Sequence, residues 1–316
     1  MSAQQTRGSA KRSRALFITG ASGFIGRAVR DGLAIGDYDT VTCLTRRPDF
    51  LAAQISARAG WCCVGGDLDD PPSYSAAVAD ADTVIHLAAA TGKASTTEME
   101  RVNVHATRKL LEECERQGVP RVLYVSSIAA RYPDLDGYPY GRTKLEAEGL
   151  VRGTRLDFTI LRPTIVLGEH SPIWLKLRKL ASLPIVPLFG DGTARVQPVA
   201  VADAARGIIA ILDHGRFLGE TIELGGPEVV TFSDFVVRIR HACGRGSARL
   251  VRLPVQPVQA LLSAAGRVLG GLMPVGAGQL APFVNDGTAG PNDLYDQLRP
   301  SMIPLDALLQ RLARAA

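Results

Sequence analysis

The sequence predicts an α/β protein: a doubly wound parallel sheet carrying a smaller lobe at its C-terminal side. Three observations carry this. Through the first half, short β-rich runs alternate with longer helical ones, the order of strands joined by crossover helices. The strand runs are apolar almost throughout rather than every second residue, as in a sheet covered on both faces. From about Gly168 the rhythm changes, and Pro, Gly and isolated apolar runs dominate. A chain of 316 residues, 46% of them hydrophobic, can bury a core of that size.

The elements follow in order. "ALFITG" reads as a buried strand and "FIGRAVRDGLA" as the helix after it. "TVTCLTRR", "WCCVGGDL", "DTVIHLAAA" and "RVLYVSS" supply four more strands. A long amphipathic helix, Glu98 to Gln117, separates the last two. Beyond Gly168, helices are predicted at "VADAARGIIAILD" and "FSDFVVRIRHAC". Residues 15–167 are thus assigned to the sheet domain and 168–316 to a substrate-facing lobe. The two are partly interleaved, because "ETIELGG" can return a strand to the first sheet. Residues 1–14, with no acid and no apolar run, read as a disordered basic tail and not as a secretory signal.

Charge and cysteine content exclude several classes. Lys plus Arg total 36 against 31 acids, a net charge of +5, which is too mild to point to nucleic acid. The five cysteines show no CxxC or metal-ligand spacing, and the five histidines form no HExxH pair. No metal is expected, and a reduced, cytoplasmic setting is. Val268–Asn285 is uncharged and about long enough to cross a bilayer. Its four glycines and two prolines do not favour a spanning helix, so it is expected at a surface or substrate pocket rather than in membrane contact, with shallow membrane contact the other reading.

"FITGASGFIG" asks why glycine stands at 20, 23 and 26. The stretch follows a strand and opens a helix. There, missing side chains let a pyrophosphate approach the backbone, with the helix N-terminus facing its charge. The spacing is GxxGxxG rather than GxGxxG, and alone it is a weak signal.

Here the residues resemble a family, the extended short-chain dehydrogenases/reductases with their NAD-dependent epimerases and dehydratases. "TGASGFIG" resembles its nucleotide motif and "GDLDD" its adenine-side turn. "VIHLAAATG" is similar to its fourth strand and "VNVHATRKLL" to its Asn-Val-x-x-Thr helix. "YVSSIA" with "YGRTKLEAE" resembles its catalytic Ser and Tyr-x-x-x-Lys, and "LRPTIVLG" its sixth strand. The set runs in order from about Ala15 to Pro254. The resemblance implies a Rossmann-type fold with NAD(P) held by Gly20, Ser22, Gly23, Phe24, Ile25, Gly26, Asp67, Leu68, Leu87, Ala88, Ala89, Asn103 and Pro163, and by Tyr140 and Lys144. It also implies Ser127 as the hydroxyl that holds the substrate oxygen, preferred over Ser126.

Tyr140 and Lys144 lie at i and i+4 of a helix-favouring segment and so share one face. A free phenol titrates near ~10, and a neighbouring ammonium lowers that value. A proton exchange with a substrate oxygen near neutral pH then becomes feasible. Tyr138, two residues earlier, has no lysine four residues on.

Cofactor choice turns on the end of the second strand. An acid there binds a ribose 2′-hydroxyl, whereas an arginine accepts a 2′-phosphate. "CLTRRPD" has no acid before Asp49, so Arg46, assisted by Arg47, points to NADP, with NAD the other option. The carboxylate pair that the resembling dehydratases carry after the hydroxyl is missing in "IAARY", which argues against 4,6-dehydration. The expected function is NADP-dependent hydride transfer between nicotinamide and a ketone or secondary alcohol of small-molecule size. A nucleotide-sugar epimerase or reductase, and a non-catalytic NAD(P)H-binding module, are the other readings. The resemblance also implies a homodimer through Glu98–Gln117 and Tyr140–Val151, the first with an apolar stripe at Val102, Leu110 and Leu111.

Overall fold

The structure, a computed structural model, describes residues 14–34, 36–214, 216–255, 257 and 281–315. Most of the basic tail and residues 268–280 of the uncharged segment lie outside the described residues.

The strands are β1 (Ala15–Thr19), β2 (Thr40–Thr45), β3 (Trp61–Gly65), β4 (Thr83–His86), β5 (Arg121–Val125), β6 (Asp157–Pro163), β7 (Val166–Leu167), β8 (Ile185–Phe189), β9 (Arg195–Val196), β10 (Val199–Ala200), β11 (Glu220–Leu224), β12 (Val230–Thr231) and β13 (Arg249–Leu253). The helices that matter here are α1 (Phe24–Gly32), α2 (Pro48–Ile55), α3 (Ser75–Ala79), α4 (Thr96–Glu100), α5 (Thr107–Gln117), α6 (Pro139–Arg152), α7 (Pro172–Ala181), α8 (Val201–His214) and α9 (Phe232–Ala242).

Seven strands form one sheet in the order β3-β2-β1-β4-β5-β6-β11, and every pairing in it is parallel. The doubly wound architecture expected from the alternating runs is therefore what the chain adopts. "ETIELGG" supplies β11, which pairs with β6 at the sheet edge. Strand order reverses between β1 and β4, and ligands of such sheets bind outside the carboxyl ends at that crevice.

The sheet is buried on both sides because alternate residues of one strand enter different cores. Leu16 and Ile18 join Val29, Ile85 and Ile208 on one face. Phe17 joins Val84, Leu110, Val122 and Ala147 on the other. A third cluster, with Trp174, Leu177, Val186, Leu188 and Phe235, holds the lobe together. Leu110 and Leu111, expected to face a second subunit, are buried in the protomer's own core. Helical periodicity shows that one side of the helix is covered, and here the sheet and α3 cover it.

The expected long helix from Glu98 to Gln117 is present, with one irregularity. α4 passes into α5 through a π-helical turn, Arg101–Ala106, centred on Asn103. Such turns occur preferentially at functional sites.

Candidate active site

Because the sheet is parallel, the carboxyl ends of β1, β2, β4, β5 and β6 share one edge, and the residues singled out in the sequence gather there. Gly20 follows β1 with φ +72°, a left-handed conformation that favours glycine. A Cβ on it would lie 2.6 Å from the Ala88 nitrogen, just past β4. A Cβ on Gly26 would run into the Gly20 carbonyl oxygen and lie 2.8 Å from the Ala21 Cα. These two glycines are demanded by the chain's own packing. Gly23 caps α1 without a side-chain hydrogen bond, and the first turn of α1 holds no acid. The α1 N-terminus thus offers open N–H groups to a phosphate, and the loop fits a dinucleotide's pyrophosphate.

Ser22 and Phe24 line a cavity of about 630 Å³ with Arg27, Gly168, His170 and Leu308. None of Ser127, Tyr140 and Lys144 lines it. Ile25 packs against the core beneath α1. Leu87 and Ala88 are half-buried past the end of β4, and Ala89 is exposed. Pro163 closes β6, paired with Leu224. Asp67 folds its own turn, accepting from the Asp69 nitrogen at 3.0 Å, while Leu68 is buried.

Asn103 lies deeper than a ligand contact requires. Its carboxamide accepts from the Ala90 nitrogen (2.7 Å) and donates to the Ala90 oxygen (3.0 Å) and to Thr143 Oγ1 (3.1 Å). Both amide hydrogens are engaged, so Asn103 ties the loop after β4 to α6. It acts here as a positioning residue.

The two serines after β5 separate cleanly. Ser126 is buried, and its hydroxyl donates to Glu148 at 2.6 Å. Ser127 is half-buried, its hydroxyl accepts from the Ala129 nitrogen at 3.2 Å, and it lies near enough to Tyr140 to act on the phenol's pKa. Burial raises the Tyr140 phenol above its ordinary value, and the nearby Ser127 hydroxyl offsets only part of this. The neighbouring ammonium expected to lower the phenol's pKa is not among the groups acting on it. Lys144 is 1% exposed, and its Nζ donates to the Val125 oxygen at 2.8 Å and lies 4.2 Å from the Tyr124 ring centroid. Burial brings its pKa down to about 7, against the pull of Glu148.

Two buried groups escaped the sequence reading. His86 sits between Thr19 Oγ1 (2.7 Å) and Thr107 Oγ1 (2.8 Å), joining β1, β4 and α5. Burial, then Lys144, pushes its pKa down to about 3, so it is a neutral structural imidazole. Glu148 continues the Tyr140–Lys144 spacing by a further four residues, the one signal that would have found it. It accepts two hydrogen bonds from Arg162 of β6 (2.8 and 2.6 Å) and one from Arg152 (2.7 Å). Burial works against its charge, but the hydrogen bonds from Arg162 and Ser126 outweigh it and hold the carboxyl below its usual range. β5, β6 and α6 are locked together under the Ser127–Tyr140 pair.

At the end of β2, Arg46 and Arg47 are exposed. Arg47 lies 5.2 Å from the Phe50 ring centroid. Arg46 approaches Glu98, whose carboxyl is held down mainly by Arg101 and to a lesser degree by Arg46. Arg101 also bonds Asp69. Among the described residues no cluster of His, Cys, Asp or Glu could hold a metal ion.

Fold and site together define a nucleotide-binding doubly wound α/β protein, with a hydroxyl, a phenol and an amine gathered at the carboxyl edge of its sheet. The chain belongs to the NAD dependent epimerase/dehydratase family, whose pattern matches residues 16–225. It is 31% identical over 246 residues to a ceramide reductase of Caulobacter vibrioides, covering 75% of this chain and 73% of that one. It is 33% identical over 200 residues to the mitochondrial NADH dehydrogenase [ubiquinone] 1 alpha subcomplex subunit 9 of Arabidopsis thaliana. That match covers 62% of this chain but only 48% of the plant protein. Among solved structures, the dTDP-glucose 4,6-dehydratase DesIV of Streptomyces venezuelae, with NAD and DAU bound, superposes with a TM-score of 0.63 at 25% identity. It covers 76% of this chain and 84% of that one.

Proposed function

We propose that the protein is an oxidoreductase that uses NADP in preference to NAD and moves a hydride between nicotinamide and a ketone or secondary alcohol. The observation that carries this is that the Ser127 and Tyr140 hydroxyls come near each other at the sheet's carboxyl edge, while Ser126 is withdrawn to Glu148. The bound nicotinamide supplies or takes the hydride. Ser127 holds the substrate oxygen. Tyr140, protonated at neutral pH, gives that oxygen a proton as hydride reaches the carbon. One hydride and one proton convert the carbonyl to the alcohol. Lys144 and Asn103 set the phenol's helix against β5 and the β4 loop. Arg46 favours a 2′-phosphate because no acid precedes Asp49 after β2. No carboxylate lies between Ser127 and Tyr132, which favours simple hydride transfer over dehydration. A relative named for reducing ceramide favours a hydrophobic oxo substrate.

The test is turnover of NADPH and NADH with long-chain ketones and with UDP-sugars. Tyr140→Phe keeps the ring and removes the acid, so the rate should fall about 10²- to 10⁴-fold with cofactor binding intact. Wild-type turnover in that variant would refute the mechanism. Turnover of UDP-sugars alone would favour the epimerase reading.

A further inference from the structure

The lobe carries a charge asymmetry that the whole-chain total hides. Between Glu169 and Asp191, and again between Asp234 and Asp286, the sequence has no Asp or Glu but nine Lys and Arg, in a chain whose net charge is only +5. The two stretches are neighbours in space. β8 pairs with β13, Ile185 in register with Arg249, and α7 packs on both α9 and β8. Arg240 of α9 donates to the carbonyls of Ala181 (2.7 Å) and Leu183 (2.8 Å), and Arg245 to that of Ser182 (3.3 Å). Carbonyl oxygens satisfy these guanidinium hydrogens but leave their charge uncompensated. Arg238 is ion-paired with Glu228 and Asp306, and Arg252 lies beside Asp191, donating to its carbonyl at 3.0 Å and helping to hold its carboxyl down; among the described residues, no other cation of the two stretches has a carboxylate within ion-pair distance.

The same elements expose aliphatic side chains. Leu175 is 51% and Ile185 55% exposed, and Ile173, Leu183 and Leu250 are exposed as well. On α7, Leu175, Lys176 and Lys179 lie opposite the buried Trp174, Leu177 and Ala181. β13 leads into a stretch, Pro254–Asn285, whose one charged residue is Arg267. Val255 and Val284 both lie beside Gly190, just past β8, where an added Cβ would be 3.6 Å from each.

We propose that this face of the lobe docks on an anionic lipid bilayer. Cations without acid neighbours are drawn to an anionic surface, each strengthening association about fivefold, and exposed aliphatics gain by entering the interface. A single-stranded nucleic acid partner would call for aromatic stacking platforms, and the exposed apolar groups here are aliphatic. The docking surface is independent of the catalytic reading, so either can fail alone.

The test sediments the full-length protein with vesicles of phosphatidylcholine, with and without about one-third phosphatidylserine. Binding is expected to the anionic vesicles only, weakening as salt rises. The variant Lys176→Gln/Lys179→Gln/Arg249→Gln, none of whose positions touches the site, should bind about 100-fold more weakly with unchanged circular dichroism and urea midpoint. Leu175→Ser/Ile185→Ser should lose the salt-resistant part of binding. Failure of the wild type to sediment with anionic vesicles, or undiminished binding by the triple variant, overturns the proposal. So does binding to duplex DNA, or self-association through Ile185, in place of vesicle binding.

Discussion

Glu148→Ala should destabilise the fold far more than its one exposed contact suggests. The Glu148 side chain is 0% exposed, and Arg162, its bidentate partner, is 13% exposed. Removing the acid leaves Arg162 with Glu223 at 3.5 Å as its remaining carboxylate and frees the Ser126 hydroxyl. Breaking a buried pair from one side costs about 3–5 kcal/mol, and Glu223, already shared with Arg131, compensates the remaining guanidinium only in part. Arg152, which bonds the same carboxylate from a side chain 40% exposed, should matter little, with Arg152→Ala costing at most ~1 kcal/mol. Urea denaturation followed by circular dichroism gives both values. Because the folded Glu148 carboxyl titrates below its unfolded value of ~4.3, its contribution is complete above that pH. It is lost as pH falls through the folded value, and the variant should lack that part of the acid transition. Equal losses in the two variants, or a loss below ~1 kcal/mol for Glu148→Ala, would refute the picture of a buried clamp.

Arg46→Ala should weaken NADPH by about tenfold to 150-fold, the worth of a charge-assisted hydrogen bond, and leave NADH nearly unchanged in a fluorescence titration. Lys144→Met should alter stability on the alkaline side. The folded amine titrates at about 7 and the unfolded one near ~10.4, so in that window the unfolded chain holds the extra proton and stability rises with pH. The variant should lose that rise when the two denaturation series are subtracted. For the expected homodimer, light scattering should give twice the chain mass of 33.6 kDa, and a concentration-independent monomer would exclude it.

Local signals were the legible ones. Apolar runs placed β1 to β5, and the i, i+4 spacing put Tyr140 and Lys144 on one helix. The electrostatics were not legible, because burial is a tertiary quantity. The sequence predicts that Lys144 charges the phenol, but its amine donates to the Val125 carbonyl and burial brings its own pKa down to about 7. Glu148 meets Arg162 only once β6 lies beside β5, and no pattern within α6 announces a partner 14 residues on. The π turn at Asn103 shifts a helical ladder by one residue and leaves the amphipathic pattern on both sides intact. Net charge misled by averaging, since acids elsewhere, in the lobe as well as the sheet domain, cancel the nine cations of the two acid-free stretches.

The contacts around Gly20 and Gly26 bear on what a nucleotide would meet on arrival. Strand, bend and helix are wedged together by backbone atoms at van der Waals range, so the bend takes its binding shape as the sheet assembles. Association then needs no loop to be immobilised, and preorganisation of this kind favours affinity by removing a cost rather than by adding a contact. A methyl at position 26 would split β1 from α1, so folding and cofactor retention should fail together, in the same preparation and at the same temperature.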